Sequence, residues 1–329
     1  MIENGISLLQ ALNLLCQQQK KYHFRKILED VHASIEKGTN LSDSLEHHPD
    51  VFDKLFVSMV RAGEASGKLD FILKKLFEYI EKSSKIKSQI KSAMSYPIVI
   101  LVVALGVVSA LLTFVVPSFA EQFTESGKEL PEITAFVVAT SDTLIKNWHI
   151  ILASGVVFFM SVKLWLSTAK GKYIFDKTLL KLPFFGDLVL KASIAKFSST
   201  LSAMLSSGVS ILDALSICAS SVGNKEIEKV ILFLKEEITK GKNLSEPMSQ
   251  SKLFPLMVSS MVAVGETTGA LDDTLAKVTS IYEDEVDSSI EALTSMIEPL
   301  MIVFIGTLIA FILIAMYLPI FDMGSIVGG

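Results

Sequence analysis

Two carboxylates sit in nearly identical surroundings. Glu64 lies in "GEASGKLD", from Gly63 to Asp70, and Glu266 lies in "GETTGALD", from Gly265 to Asp272, 202 positions further along the chain. The first copy superficially resembles a phosphate-binding loop. That chemistry needs four residues between the first glycine and Gly-Lys, then Ser or Thr to meet magnesium. Here there are three, Leu69 follows Lys68, and Ala270 stands where the second copy would need its lysine. The flanks also read as helices and not as the required strand. Nucleotide binding by this chain itself is therefore set aside.

Other reactive groupings are as sparse. Of the five histidines, His47 and His48 precede Pro49, His23 and His32 fall on a mixed polar helix, and His149 lies beside an apolar run, so no second set of metal ligands converges on any of them. The acidic "EDEVD" from Glu283 to Asp287 reads as a solvated helix face before it reads as a cation site. Cys16 and Cys218, the only cysteines, have neither metal nor disulfide spacing and suit a reducing compartment. No nucleophile, base and oxyanion arrangement is present, so the sequence predicts no enzyme, no metal and no cofactor. A net charge of −5 with scattered lysines excludes a nucleic-acid surface.

What the duplicated stretch predicts is a turn. Each copy fits a helix, a tight turn and a second helix, with Gly67 and Gly269 free to take positive φ where the first helix ends and Leu69 and Leu271 opening the next. Glu64 and Glu266 then sit near a helix C-terminus, where a carboxylate costs about 0.3–1 kcal/mol unless it finds a partner. Three partners are open: backbone N–H groups at the start of the following helix, a nearby lysine, or another protein. Gly63, Glu64, Gly67 and Asp70, with Gly265, Glu266, Gly269 and Asp272, are thus the candidate hairpin-shaping or partner-binding residues.

The duplication reaches beyond the motif. "GISLLQAL" from Gly5 resembles "GVSILDAL" from Gly208, and "KGTNLSDSL" from Lys37 resembles "KGKNLSEPM" from Lys240. Pro97 pairs with Pro299, Pro117 with Pro319 and Phe119 with Phe321. "KFSSTLSAMLSS", from Lys196 to Ser207, has no counterpart ahead of Gly5, so the first copy starts about one helix late. Leu69, Ile72, Leu73, Leu76 and Ile80, and likewise Leu271, Leu275, Val278 and Tyr282, form apolar helical stripes. No alternating strand pattern competes with them.

Half the residues are hydrophobic and mean hydropathy is +0.49, which places part of the chain in lipid. Ile98–Val116, Trp148–Leu166 and Leu300–Leu318 each supply the roughly 20 apolar residues a bilayer core demands. His149 and Lys163 near the ends of the second are compatible with an interfacial belt and a snorkelling side chain. Fourteen Lys and Arg precede the first run, two lie between the first and second, thirteen lie between the second and third, and none follows. Positive residues stay inside, which puts the N-terminus and the long central region in the cytoplasm. No signal peptide is evident. The expected plan is an all-α membrane protein with two repeated cytoplasmic helical-bundle modules (1–96 and 167–298) and three transmembrane helices (97–117, 148–166 and 299–319). An external loop (118–147) and a short external tail (320–329) complete it. Pro97 and Pro299 read as breaks where the chain meets the bilayer. Gly106/Ala110 and Gly306/Ala310 offer small faces for close helix approach.

The duplicated "GExxGxLD", the Tyr96-Pro97 opening of a span within "AMSYPIVI", and the plan of two modules with three spans together resemble the inner-membrane platform proteins of type IV pilus assembly and type II secretion. The resemblance runs from Gly5 through Phe321. It implies a non-enzymatic, multi-pass component of the bacterial inner membrane. Its partners would be a hexameric secretion or pilus ATPase, pilin or pseudopilin subunits, and other inner-membrane assembly proteins. A homo-oligomer is expected beneath a symmetric motor. Many members of that family carry a longer N-terminal extension than this chain. A small transporter would instead mark its path with ionisable residues at mid-membrane, and a receptor would need a pocket that about 30 external residues barely accommodate.

Overall fold

The computed structural model describes residues 5–125, 131–251 and 253–327, and all regular structure among them is helical. In chain order the helices are α1 (Leu8–Gln18), α2 (Tyr22–Glu36), α3 (Leu41–Glu46), α4 (Lys54–Ser66), α5 (Leu69–Ala110), a π-helical turn (Leu111–Val115) and α6 (Val116–Glu125). There follow α7 (Glu132–Ser167), α8 (Ala169–Leu179), α9 (Phe185–Ser206), α10 (Ile211–Ser221), α11 (Lys225–Thr239), α12 (Ser245–Gln250), α13 (Leu256–Thr268) and α14 (Leu271–Val327). Local chemistry sets their starts. Ser7 and Gln10 form a capping box ahead of α1, Asp53 accepts from the Phe56 N–H at 2.9 Å to open α4, and Asn224 accepts from two N–H groups to open α11.

The chain divides into two compact units. The first combines residues 1–87 with 176–288, and the second combines 88–175 with 289–329. Within the first unit, helix lengths recur: α1 and α10 have 11 residues, α2 and α11 have 15, α3 and α12 have 6, and α4 and α13 have 13. Both sets feed a single apolar cluster, in which Val31, Met59 and Val60 from the earlier stretch join Leu215, Ile231, Val262, Leu275 and Val278 from the later one. The stripe expected on α5 is only partly used: Ile72 and Leu76 are buried, but Ile80 is 49% exposed. Tyr79 closes that end instead, its hydroxyl meeting Thr200 at 3.4 Å. On α14 the expected positions Leu275, Val278 and Tyr282 are all buried.

The unpaired helix of the sequence, α9, lies inside this first unit with Phe197, Leu201 and Met204 fully buried. Among the described residues, four helices could cross a bilayer by length and apolar composition, namely Leu69–Glu121, Glu132–Ser167, Phe185–Ser206 and Leu271–Leu318. Their internal burial separates them. The most apolar window of α9 is 56% buried, against 6%, 0% and 17% in the other three, so α9 turns its apolar face to protein.

The second unit has its own small core of Leu112, Val116, Val137, Ile312, Ala315 and Met316. Two hydroxyls on α7 anchor it: buried Thr134 donates to the Ala315 carbonyl, and buried Ser141 donates to the Leu112 carbonyl in the π-helical turn. A π turn disrupts the regular ladder, and a hydroxyl from a neighbouring helix supplies a donor there. Much of the stretch expected as an external loop is therefore helical. α7 runs from Glu132 with one kink at Asn147 (φ −116°, ψ 18°), immediately before Trp148. Likewise α14 continues to Val327 through most of the expected tail. Loop residues 126–130, the last two residues, and the side chains of Pro319 and Phe321 lie outside the described residues. Among the described residues, nothing lies within 4 Å of where a Cβ on Gly106 or Gly306 would stand.

Candidate functional site

Glu64 lies in the last turn of α4 and Glu266 in the last turn of α13. Neither caps the helix that follows. Glu64 reaches back to the start of α3, accepting from the Leu41 N–H at 2.5 Å, the Ser42 N–H at 3.0 Å and the Ser42 hydroxyl at 2.5 Å. Glu266 does the same at α12, accepting from the Leu244 N–H, the Ser245 N–H at 3.1 Å and the Ser245 hydroxyl at 2.5 Å. Both short helices lack a side-chain cap of their own. The first N–H groups of a helix are unsatisfied and carry its positive end, so an ionised carboxylate is the matching acceptor. The repeated "NLS" of Asn40–Ser42 and Asn243–Ser245 is thus the partner of the repeated Glu.

The glycines make the hairpin possible in two ways. Gly67 (φ 68°) and Gly269 (φ 71°) take the left-handed conformation that ends α4 and α13. The N–H groups of Gly67 and Lys68 turn back to the Glu64 and Gly63 carbonyls at 3.2 and 3.0 Å, and the Ala270 N–H turns back to Gly265 at 3.0 Å. Gly63 and Gly265 are needed for proximity. A Cβ on Gly63 would stand 2.8 Å from Ile72 Cγ1, and one on Gly265 would stand 3.0 Å from Leu271 Cα and 2.9 Å from Thr274 Oγ1.

Asp70 and Asp272 occupy the first turns of α5 and α14, the favourable end of each helix for a negative charge. They differ in surroundings: Asp70 is exposed, whereas Asp272 borders a cavity of about 320 Å³ beside Tyr79, Ser202 and Thr279, and its carbonyl accepts from Ser202 at 2.8 Å. Neither Pro97 nor Pro299 ends its helix, as α5 and α14 run on through both, so each acts as a missing donor within a continuous helix.

The acidic run of α14 is engaged by lysines. Glu283 pairs with Lys82 at 3.1 Å, Glu285 with Lys191 at 2.9 Å, and Asp287 faces Lys85 at 3.9 Å. Among the described residues no group of three His, Cys, Asp or Glu could hold a metal ion. His47 Nδ1 lies 2.7 Å from the Asp43 carbonyl. Cys16 and Cys218 are free and buried, and burial pushes the Cys218 thiol well up, which keeps it protonated and unreactive.

Fold and site together define a helical membrane protein in which the duplicated Glu64 and Glu266 each accept hydrogen bonds from the start of a preceding short helix. The chain matches the family model described as type II secretion system (T2SS), protein F, over residues 1–117 and 197–319. The type IV pilus assembly protein PilC of Myxococcus xanthus is 42% identical over 99% of this chain and 78% of its own length. PilC of Thermus thermophilus is 43% identical over 98% of this chain and 80% of its own. The type II secretion system protein F of Vibrio cholerae is 33% identical over 99% and 80%. The chain belongs to the type II secretion system protein F family. The names of these relatives describe assembly and secretion, and none describes an enzymatic activity.

Proposed function

We propose that the chain is the inner-membrane platform of a type IV pilus machine, non-enzymatic itself, which couples a hexameric cytoplasmic assembly ATPase to the insertion or extraction of pilin subunits. The observation that carries this reading is shared by α5 and α14. Each opens within the duplicated motif, at Leu69 and Leu271, supplies buried positions to the first unit's core, and continues into an apolar stretch of membrane length. In this reading the first unit is cytoplasmic, the N-terminus included, and the chain crosses the membrane three times, through α5, α7 and α14. The carboxylate-capped turns fix the bundle surface that meets the ATPase. The pilus is favoured over a secretion pseudopilus because the PilC relatives of M. xanthus and T. thermophilus match at 42% and 43%, against 33% for the secretion protein of V. cholerae.

The test is affinity purification of the full-length chain from membranes containing a pilus assembly ATPase and its pilin. Retention of both, with ATPase retention lost when residues exposed on the first unit are changed, is the expected result. A well-folded chain that retains neither would overturn the reading.

A further inference from the structure

Every described residue with positive φ is a glycine except one. The exception is Phe184, at φ 66° and ψ −52°. It stands in "KLPFFG", from Lys181 to Gly186, in the first unit, where the chain passes from α8 to α9. The Phe185 N–H donates to the Pro183 carbonyl at 2.8 Å, which makes Phe184 the centre of a tight three-residue turn, a rare and strained form for a residue with a side chain. The turn is also held from outside. The Gly186 N–H donates to the Leu182 carbonyl at 2.8 Å, and a Cβ on Gly186 would collide with the Leu180 carbonyl.

Burial does not offset this strain. Phe184 is 53% exposed, and Leu182 and Phe185 are 46% and 40% exposed. Leu180 before the turn packs on the first unit's core, and Gly186 and Leu188 after it are buried, so the chain turns its apolar side chains outward only here. A fixed turn presenting two rings and a leucine to the outside marks a contact surface.

The charge around the patch says what it contacts. Lys177 and Lys181 precede it, and no acid lies between Asp176 and Asp187. Those two acids are engaged elsewhere: Asp176 accepts from the Lys225 N–H at 2.8 Å, and Asp187 pairs with Lys191 at 2.8 Å. Apolar side chains beside lysines suit a lipid surface with anionic headgroups, where rings enter the acyl boundary and ammonium groups meet phosphate. Leu182 follows Ser167, the last residue of α7, by only 15 residues, 11 of which form α8. The reading that places α7 in the bilayer therefore keeps this turn on a short tether from it.

We propose that the α8–α9 turn is a membrane anchor of the first unit. Leu182, Phe184 and Phe185 insert into the cytoplasmic leaflet, and Lys181 lies on its anionic headgroups. The anchor rests on the three-span reading, which one arm of the experiment tests by itself.

The full-length chain, with Cys16 and Cys218 changed to Ala, is placed in lipid nanodiscs containing phosphatidylglycerol and labelled with a fluorophore at Leu182→Cys or, separately, at Phe184→Cys. Brominated lipid should quench both labels, and aqueous iodide should not. A label at Phe159→Cys, within α7, should also be quenched by brominated lipid; if it is not, the three-span reading falls and the anchor with it. With Phe159→Cys quenched, turn labels that iodide reaches and lipid does not, or that protein shields from both, would overturn the anchor alone. Neutral lipid in place of phosphatidylglycerol, or Lys181→Gln, should shift the labels from lipid toward water about fivefold. Indifference to both changes would overturn the anionic surface. Phe184→Gly removes the ring and the strain together, so its Tm in detergent should hold or rise while lipid quenching at Leu182→Cys falls. A lower Tm would show that the ring serves packing within the fold and would contradict the proposal.

Discussion

Ser42 gives Glu64 both its N–H and its hydroxyl, at 3.0 and 2.5 Å, and Ser245 gives Glu266 the same pair, at 3.1 and 2.5 Å. One carboxylate thereby ties the end of a 13-residue helix to the start of a 6-residue helix lying 22 residues earlier in the first copy. Hydrogen bonds to a charged group contribute about 1.5–3 kcal/mol, and a 6-residue helix cannot hold itself together alone. Glu64→Ala and Glu266→Ala should each cost about 2–4 kcal/mol, lowering the Tm of the first unit by roughly 5–10 °C. Glutamine, which keeps one good acceptor, should cost less. Thermal melts of the purified chain check this, and alanine variants that melt with the parent would remove the latch.

The glycines before the two glutamates predict a graded pair. Both Gly63→Ala and Gly265→Ala force contacts shorter than side chains ordinarily tolerate, at a cost of about 1–3 kcal/mol. Gly265→Ala should be the worse of the two, because the Leu271 backbone would stand 3.0 Å from its Cβ, whereas the Leu69 backbone would stand 3.3 Å from that of Gly63, whose shorter contacts are with the Ile72 side chain. Denaturation midpoints give the order. A neutral Gly265→Ala would mean that α13 and α14 do not need this close approach.

In the second unit, Ser141→Ala removes the donor that meets the Leu112 carbonyl in the π-helical turn. A loss of about 1–2 kcal/mol is expected, in line with interhelical hydrogen bonds inside membranes. Unfolding in mixed detergent micelles measures it, and amide exchange should rise around residues 111–116 first. An unchanged unfolding curve would show that the turn stands without its serine.

Glu237 predicts an acid limb. Donation from Lys240 and Lys242 holds its carboxyl below the usual range. With the folded value depressed, the stabilisation is complete above the unfolded value, near 4.3, and is lost as pH falls through the folded one. Glu237→Gln should flatten the Tm profile in that acid window and leave its shape at higher pH unchanged. A profile identical to the parent's would show that the lysines contribute nothing there.

The helices and the turn were legible because their signals are local. Gly67 and Gly269 announce a left-handed cap, and the stripes through Ile72, Leu76, Leu275 and Val278 announce buried faces. The partner of Glu64 was not, since nothing in local spacing says that a carboxylate near one helix end reaches back past a loop to Leu41 and Ser42. The signal was present all the same in the parallel repetition of "NLS" and "GE". The hydrogen bonds of Thr134 and Ser141 on α7 were not legible either, since their acceptors, the Ala315 and Leu112 carbonyls, lie far away in sequence. That the two copies share one core could not be read from a pattern repeated in each.

The central claim, that both copies of the motif belong to one cytoplasmic unit, is tested most directly by labelling from outside. Lys26 and Lys229 occupy corresponding exposed positions on α2 and α11. In a chain with Cys16 and Cys218 replaced by Ala, Lys26→Cys and Lys229→Cys should both resist a membrane-impermeant maleimide in sealed cells and both react once the cells are opened. Reaction of either position in sealed cells would place its copy on the outer face and contradict the account.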